Sequence, residues 1–311
     1  MTTSILLFGA YGWIGNQVLS QLKKRKDVTI VYKSTVRVDD VDEVIREIDN
    51  YNPTHVISCI GRTFGYIDNK IVPTIDYLEY PGKLVENVRD NLFAPIVLAN
   101  VCTNRNIHLT YLGTGCIFEY DTLHTQTTGF TEDSKPNFFG SSYSVVKGFT
   151  DRLMNLYKDS VLNVRIRMPI TAEPNSRDFI TKIASYEKIC SMDNSMTVLD
   201  DLVPIMVDMA ITKKTGTVNL TNPGVISHET ILEMYREIVD PTITWQTMSY
   251  EEQCKLLKSK RSNNYLDTSL LQQWYPDVKH INTAVRDALV NRKKFIDNMF
   301  AEIDAYTGNP H

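Results

Sequence analysis

The chain has 311 residues, of which 42% are hydrophobic and 23% are charged. Its 33 Lys and Arg residues and 37 Asp and Glu residues give a formal net charge of −4, without a long basic run. This balance argues against a nucleic-acid groove or an anionic membrane patch, because both need clustered Lys and Arg.

Short runs of β-branched residues alternate with longer segments of helical periodicity, which is typical of a parallel sheet covered by helices. In chain order, the pattern predicts strands at residues 4–8, 28–32, 55–60, 107–112 and 161–167. It predicts helices at residues 13–24, 40–50, 83–105 and 141–158. Ligands of such a sheet bind beyond the carboxyl ends of the strands, so residues that follow a strand are candidates for chemistry.

After Met168 the predicted elements become shorter, and Pro and Gly residues punctuate the chain. We expect one domain over residues 1–168 and a smaller lobe over residues 169–311, with some segments of the lobe returning to the main sheet. Residues 249–252 have the Ser-x-x-Glu pattern of a capping box at the start of a helix. Residues 62–82 and 118–139 form long loops after strands, and such loops usually bind a ligand or are disordered.

A glycine-rich turn lies between the first predicted strand and the first helix. Gly9, Gly12 and Gly15 allow a tight turn and a close approach of the backbone, and Trp13 and Ile14 begin the helix whose free amides would face a pyrophosphate. The spacing is GxxGxxG, and a purely structural turn is the alternative. The position after the first strand favours a dinucleotide site.

The residues after the second strand bear on the choice of dinucleotide. A carboxylate there would hold the ribose of NAD, whereas this chain has Lys33, Ser34 and Arg37. Two cations and a hydroxyl suit the additional phosphate of NADP, so we expect NADPH, with NADH as the alternative. Lys33 and Arg37 could otherwise be solvated surface charges.

Tyr143 and Lys147 lie one turn apart on a predicted helix, so their side chains share a face. An ammonium group beside a phenol favours phenolate and lets Tyr143 exchange a proton with a carbonyl oxygen. Thr114 follows the carboxyl end of the fourth predicted strand, and its hydroxyl could bind the same carbonyl oxygen as Tyr143. Asn91, on the preceding helix, is expected either to link to Lys147 through water or a carbonyl, or to be an ordinary helix residue.

In this order, the glycine turn and the Thr114, Tyr143 and Lys147 set resemble the extended short-chain dehydrogenase/reductases. Further motifs sharpen the likeness over nearly the whole chain: Thr114-Gly-Cys-Ile-Phe-Glu-Tyr120, Pro136-Asn-Phe138, Arg165-Ile-Arg-Met-Pro-Ile170, Phe179-Ile-Thr-Lys182, Asn219-Leu-Thr-Asn-Pro-Gly-Val225, Ile231-Leu-Glu-Met-Tyr235 and Arg261-Ser-Asn-Asn264. Together they resemble the bifunctional UDP-4-keto-6-deoxy-D-glucose 3,5-epimerase/4-reductases, which form UDP-L-rhamnose. The related dTDP-4-dehydrorhamnose reductases have an aromatic residue in place of Cys116.

This resemblance implies a Rossmann-type, doubly wound parallel α/β sheet with a smaller C-terminal substrate-binding lobe. It implies UDP-4-keto-6-deoxy-D-glucose as substrate, supplied by a separate UDP-glucose 4,6-dehydratase, and NADPH as cofactor. A homodimer is common among similar enzymes, although the sequence does not reveal the oligomeric state. The five cysteines form no CxxC pair and the histidines are scattered, so we expect a cytoplasmic protein without a metal site or membrane span.

The resemblance also implies roles for single residues. Cys116 and Lys182 correspond to the proposed epimerisation acid/base pair, although which acts at C3 and which at C5 stays open. A small buried hydrophobe and a surface helix charge are the alternatives for these two residues. Asn137 is expected to contact the sugar, Pro169 to shape the nicotinamide pocket, and Arg261 to bind the diphosphate, with a solvated arginine as the competing interpretation.

Two other functions remain open from the sequence. The first is a single-function reductase that acts on an already epimerised nucleotide sugar. The second is a non-catalytic NADP-binding sensor, which would have little need for Thr114, Tyr143 and Lys147 together. Residues 62–82 form a longer segment than the resemblance leads us to expect, and we expect this segment beside the sugar pocket.

Overall fold

The computed structural model describes residues 3–307, with side chains described up to residue 302. The strands within this range are β1 (Ser4–Phe8), β2 (Ile30–Lys33), β3 (His55–Ser58), β4 (Gly65–Ile67), β5 (Lys70–Val72), β6 (His108–Thr114), β7 (Val161–Ile166), β8 (Pro169–Ile170), β9 (Lys188–Ile189), β10 (Thr197–Val198), β11 (Gly216–Asn219) and β12 (Gln246–Thr247). The α-helices are α1 (Trp13–Lys24), α2 (Val41–Tyr51), α3 (Lys83–Val88), α4 (Ala94–Thr103), α5 (Ser142–Met154), α6 (Phe179–Ala184), α7 (Leu199–Ile211), α8 (His228–Ile238), α9 (Tyr250–Leu256), α10 (Ser269–Trp274) and α11 (Ile281–Thr307).

The central sheet has six parallel strands in the order β11-β7-β6-β3-β1-β2. Strands β1, β3 and β7 are almost continuously buried because helices cover both faces of the sheet. One apolar core contains residues of α1 and α7, and the other contains residues of α2 and α4. The predicted α/β class with a doubly wound parallel sheet is therefore confirmed.

The predicted helix at residues 83–105 is interrupted in the structure. Between α3 and α4, Arg89–Phe93 form a π-helical turn. Pro95 has no amide hydrogen to donate to the carbonyl oxygen of Asn91, and that oxygen accepts a hydrogen bond from Thr150 Oγ1 of α5 at 2.7 Å instead. The irregular turn thus ties α4 to the helix that carries Tyr143 and Lys147.

The chain after Met168 contributes to two parts of the molecule. Strand β11 pairs with β7 in the central sheet, and α7 packs against α1. Other segments form a separate apolar core that includes residues of α6, α8 and α11. The division at residue 168 stays a prediction. None of the helices within residues 3–307 is long and apolar enough to cross a membrane.

Residues 62–82 are more ordered than the loop that the sequence predicts. They contain the antiparallel hairpin of β4 and β5, followed by a 3₁₀ turn at Ile75–Glu79. Glu79 accepts hydrogen bonds from the backbone and side chain of Ser142, the first residue of α5, at 2.8 and 3.0 Å. This segment, which we call the hairpin segment, therefore lies against the start of the helix that bears Tyr143.

A buried ion pair holds the last helix to the smaller lobe. Arg292 of α11 donates to Asp178 Oδ2 at 2.6 Å and to the carbonyl oxygen of Thr171 at 2.7 Å, and both charged side chains are fully buried. Removing one partner leaves the other charge buried without compensation. We expect Arg292→Met to lower the free energy of unfolding by about 3–5 kcal/mol in denaturant titrations.

Arg286→Met on the same helix is the matched control. Arg286 pairs with Glu237 at 3.1 Å, but both side chains are largely exposed. Exposed pairs contribute little, so the loss should stay below about 1 kcal/mol. Equal losses in the two variants would show that the buried pair has no special role.

Candidate active site

The carboxyl end of β6 brings two of the predicted catalytic residues together. Thr114 ends the strand, and its Oγ1 accepts a hydrogen bond from the backbone N–H of Cys116 at 3.1 Å. The carbonyl oxygen of Cys116 accepts a hydrogen bond from Ser144 Oγ of α5 at 2.8 Å. The turn after β6 is thereby fixed to the first turn of α5, which places the Cys116 thiol next to Tyr143.

Tyr143 lies in the first turn of α5, after Ser141 has capped the helix through a hydrogen bond to the backbone N–H of Ser144. Its ring packs with Tyr77 and Leu78 of the hairpin segment and with Cys116. Burial raises the pKa of the Tyr143 phenol well above its ordinary value, and the nearby Cys116 acts in the same direction. An interaction with the Thr114 side chain lowers this pKa. The phenol is therefore the stable form of Tyr143 in this pocket.

Lys147 has a different partner from the one that helix spacing predicts. Its Nζ donates a hydrogen bond to the hydroxyl oxygen of Tyr111, a fully buried residue of β6. Burial lowers the pKa of the Lys147 ammonium to about 8, while Asp151 one turn further along α5 raises it. The structure thus shows Lys147 bonded to Tyr111, and the expectation that Lys147 acidifies Tyr143 directly stays a prediction.

The Arg261-Ser-Asn-Asn264 motif holds the turn that carries Cys116. The Asn264 side-chain amide donates to the carbonyl oxygens of Gly115 at 3.0 Å and Phe118 at 2.9 Å. The guanidinium of Arg167 donates to the carbonyl oxygens of Ser262 and Asn264 at 2.8 and 3.0 Å. This positioning role could not be predicted from the sequence, since the residues come from three distant segments.

Lys182 lies on α6 and contacts the hairpin segment. Its Nζ is 3.4 Å from the carbonyl oxygen of Pro73 in the hairpin segment. The pKa of the Lys182 ammonium is lowered to about 8. Burial is the largest cause, the nearby charges of Arg177 and Arg261 act in the same direction, and Asp178 acts in the opposite direction. A lysine with this pKa can either hold or release a proton near neutral pH, which suits an acid/base role.

Two predicted substrate contacts are occupied by protein groups. Arg261 forms an ion pair with Asp76 of the hairpin segment, with Nη2 2.5 Å from Oδ2, and also donates to the backbone oxygen of Ser259 at 3.1 Å. Asn137 accepts from the N–H of Glu119 at 2.9 Å and donates to its carbonyl oxygen at 3.0 Å. The Asn137 side chain thus joins the two ends of the loop between Glu119 and Asn137. Direct substrate contacts by Arg261 and Asn137 stay predictions.

The glycine turn fits a dinucleotide. A Cβ on Gly15 would lie 2.0 Å from the carbonyl oxygen of Gly9, so only glycine lets α1 approach the turn this closely. Gly9 has a φ of 78°, which favours glycine, and its carbonyl accepts from the N–H of Gly12 at 3.0 Å. Helix α1 begins at Trp13, so the amides of Trp13 and Ile14 lie in the first turn, where a pyrophosphate would bind.

The residues after β2 carry both signs of charge. Arg37 pairs with Asp39 at 2.8 Å, and Ser34 Oγ donates to Glu47 Oε2 at 2.6 Å. The Lys33 ammonium lies 5.1 Å from the ring centre of Tyr11 in the glycine turn. Lys33 and Arg37 thus supply cations where a 2′-phosphate is expected. The carboxylates of Asp39 and Glu47 beside these residues were not predicted from the sequence.

The two remaining predicted cofactor contacts, Asn91 and Pro169, lie in the π-helical turn after α3 and at the start of β8. Asn91 is fully buried, and its side chain accepts from the N–H of Arg62 and donates to its carbonyl oxygen, both at 2.8 Å. It therefore shapes the turn after β3, and its hydrogen bonds do not include Lys147. Pro169 begins β8 just after Met168, which has a φ of 39°. Both cofactor contacts stay predictions.

Comparisons with known proteins place this site in an enzyme class. No protein-family model matches the chain. The crystal structure of the L780 UDP-rhamnose synthase from Acanthamoeba polyphaga mimivirus superposes with a TM-score of 0.88 at 53% identity, covering 94% of this chain and 100% of that one. A dTDP-4-dehydrorhamnose reductase from Clostridium acetobutylicum, with a TM-score of 0.76, is only 18% identical and shows the shared fold.

Two plant relatives specify the family. A bifunctional dTDP-4-dehydrorhamnose 3,5-epimerase/dTDP-4-dehydrorhamnose reductase of Arabidopsis thaliana is 40% identical over 285 residues, 91% of each protein. A trifunctional UDP-glucose 4,6-dehydratase/3,5-epimerase/reductase of the same plant is 38% identical over 90% of this chain, which spans 41% of that longer protein.

The fold is that of an extended short-chain dehydrogenase/reductase. The chain belongs to the bifunctional 3,5-epimerase/4-reductase family of rhamnose synthesis. It is therefore an enzyme that combines an isomerase and an oxidoreductase activity.

The hydrogen bond between Lys147 and Tyr111 has a consequence for the pH dependence of reduction. Tyr111→Phe removes the acceptor of the ammonium group, which disfavours the charged form and lowers the pKa of Lys147 further. If reduction needs the ammonium, activity is lost as pH rises through that pKa, near 8 in the natural chain. We expect the basic limb of kcat/KM to move down by about 1 pH unit.

The measurement should follow NADPH oxidation with an already epimerised 4-keto nucleotide sugar. The epimerisation step, in which Lys182 is expected to act, then does not affect the pH profile. Tyr120→Phe is the control, because the Tyr120 hydroxyl donates only to the backbone of Asp193, at 2.9 Å. A basic limb that stays in place in Tyr111→Phe would mean that the Tyr111 hydroxyl does not set the protonation of Lys147.

Proposed function

We propose that the enzyme converts UDP-4-keto-6-deoxy-D-glucose to UDP-L-rhamnose, by 3,5-epimerisation followed by NADPH-dependent reduction of the C4 ketone. The meeting of Thr114, Cys116 and Tyr143 at the carboxyl end of β6 is the observation that carries this proposal. It unites the donors of a ketone reductase with a thiol that a reductase alone does not need. The name of the mimivirus relative, a UDP-rhamnose synthase, supports UDP as the nucleotide.

In this proposal the C4 ketone oxygen lies between Thr114 and Tyr143. Both hydroxyl groups donate to that oxygen, and their hydrogen bonds stabilise the negative charge that develops on it as an enolate forms. The high pKa of Tyr143 keeps its proton in place during enolate formation and available for O4 during reduction. The same two donors therefore serve both reactions.

Epimerisation also needs groups that remove a proton from C3 or C5 and return one on the opposite face. Cys116 lies beside Tyr143, and Lys182 approaches from α6, so we propose that they reach the sugar from different sides. Their distribution between C3 and C5 stays open. The depressed pKa of Lys182 lets a substantial fraction of this residue act as a base at pH 7–8.

A nicotinamide cofactor, held through its pyrophosphate by Gly9, Gly12 and the start of α1, would supply the hydride for C4 when bound. We propose NADPH because Lys33 and Arg37 stand where its 2′-phosphate is expected. Asp39 and Glu47 reduce the positive charge of that region, which is compatible with some use of NADH. A solved dTDP-4-dehydrorhamnose reductase from Bacillus anthracis, 16% identical, is a complex with NADP.

We also propose that a separate dehydratase supplies the 4-keto substrate, since the bifunctional plant relative is named only for epimerase and reductase activities. A cytoplasmic location fits the five free cysteines. A homodimer would cover an apolar face of α3 and α5 on which Leu84, Val85 and Phe149 are exposed. Light scattering that gives the mass of one chain would refute the dimer.

Product analysis tests the proposed function directly. The purified chain is incubated with UDP-4-keto-6-deoxy-D-glucose in D₂O, with NADPH in one sample and NADH in another, and the products are followed by NMR. We expect UDP-L-rhamnose with deuterium at C3 and C5, formed faster with NADPH. Reduction without inversion at these carbons would instead identify a single-function reductase, and no conversion would refute the proposal.

Cys116→Ala tests the thiol. We expect deuterium incorporation into the ketone without cofactor to fall by about 100-fold or more at one of the two carbons, because one acid/base group is missing. Reduction of the already epimerised sugar should persist, since Thr114, Tyr143 and Lys147 are retained. Cys254→Ala, on α9, is the control and should exchange normally. Exchange at the natural rate in Cys116→Ala would remove the thiol from the mechanism.

A further inference from the structure

Three cations from two distant parts of the chain contact the hairpin segment. Arg177 donates from Nη2 to Thr63 Oγ1 at 3.0 Å, and Lys182 Nζ lies 3.4 Å from the carbonyl oxygen of Pro73. Arg261 reaches the same segment through its ion pair with Asp76. These cations therefore lie together against the hairpin segment, whose Tyr77 and Leu78 pack with Tyr143.

The three cations are not equally compensated. The carboxylate of Asp76 accepts from Arg261 and from the backbone N–H and hydroxyl of Ser259 at 2.9 and 2.8 Å, and the Arg261 charge is thereby neutralised. Among the side chains that the structure describes, no carboxylate oxygen lies within 4 Å of a side-chain nitrogen of Arg177 or Lys182. Asp178, between them in sequence, is taken by Arg292 at 2.6 Å.

The guanidinium of Arg177 is held in a fixed orientation. It stacks over the ring of Phe64 at 4.0 Å from the ring centre, and one amino group is bonded to Thr63. Its other N–H groups donate to no described residue, and they are not sealed from solvent. Partial burial lowers the pKa of Arg177, and a nearby anion would counteract this effect by stabilising the guanidinium charge. A planar, pre-oriented donor pair of this kind suits a phosphate.

We propose that Arg177 binds the diphosphate of the nucleotide sugar, and that Arg261 instead anchors the hairpin segment through Asp76. This assignment rests on the proposed function. The diphosphate is attached to C1 of the sugar, which is separated from C3 by C2 and from C5 by the ring oxygen. A group near Lys182 can therefore reach the diphosphate whichever of the two carbons Lys182 serves. The cofactor pyrophosphate has its own donors in the glycine turn.

Calorimetric titration with UDP tests the proposal without depending on catalysis. We expect Arg177→Met to weaken UDP binding by about 10–100-fold, the effect of losing a charge-assisted hydrogen bond. Arg177→Lys retains the charge without the planar fork, so its affinity for UDP should lie between those of the natural chain and Arg177→Met. Arg236→Met is the matched control, because Arg236 also stacks on an aromatic ring, that of Trp245 at 4.8 Å, and should bind UDP normally.

Two further arms identify the bound group. Uridine, which lacks phosphate, should bind the natural chain and Arg177→Met equally weakly, and NADP⁺ should bind both equally well, which also shows that the variant is folded. Unchanged UDP affinity in Arg177→Met would overturn the assignment, and a loss confined to NADP⁺ would transfer Arg177 to the cofactor site. If UDP affinity falls but UDP-L-rhamnose does not form, the proposed reaction fails while the phosphate contact stands.

Discussion

The two hydrogen bonds from the Asn264 amide to the carbonyl oxygens of Gly115 and Phe118 are the constraint on which the site depends. They fix the turn after β6, and Cys116 of this turn lies beside Tyr143. Without these two hydrogen bonds, the turn and its thiol would lose part of their support. Asn264, from the C-terminal part of the chain, therefore sets the position of a residue that follows the central sheet.

Much of the fold followed from local patterns. The continuous apolar run of β1 and the glycine turn after it predicted a buried parallel strand and a dinucleotide site, and helix α1 has the predicted bounds of residues 13–24. The capping box of Ser249 and Glu252 is also confirmed. The predictions of the strand, the helix and the capping box succeed because backbone geometry and burial repeat over a few residues. The break at Arg89–Phe93 escaped prediction, since it depends on Pro95, Asn91 and the distant Thr150 acting together.

The partners of charged side chains could not be predicted in the same way. Helical spacing brings Lys147 near Tyr143, but the hydrogen bond goes to Tyr111 on a neighbouring strand. Arg261 has the chemistry of a phosphate ligand, yet Asp76, 185 residues away in sequence, neutralises it. A sequence motif specifies which donor is present, whereas the acceptor is chosen by tertiary contacts.

Desolvation links the reduction and the epimerisation. Burial lowers the pKa of both Lys147 and Lys182 to about 8, and it raises that of Tyr143. For Tyr143 and Lys182, the hairpin segment contributes to this burial through Tyr77, Leu78 and Pro73. The hairpin segment thus favours the neutral amine of Lys182 and the protonated phenol of Tyr143, which are the forms that the proposed enolisation requires. In that proposal, residues 62–82 serve proton chemistry.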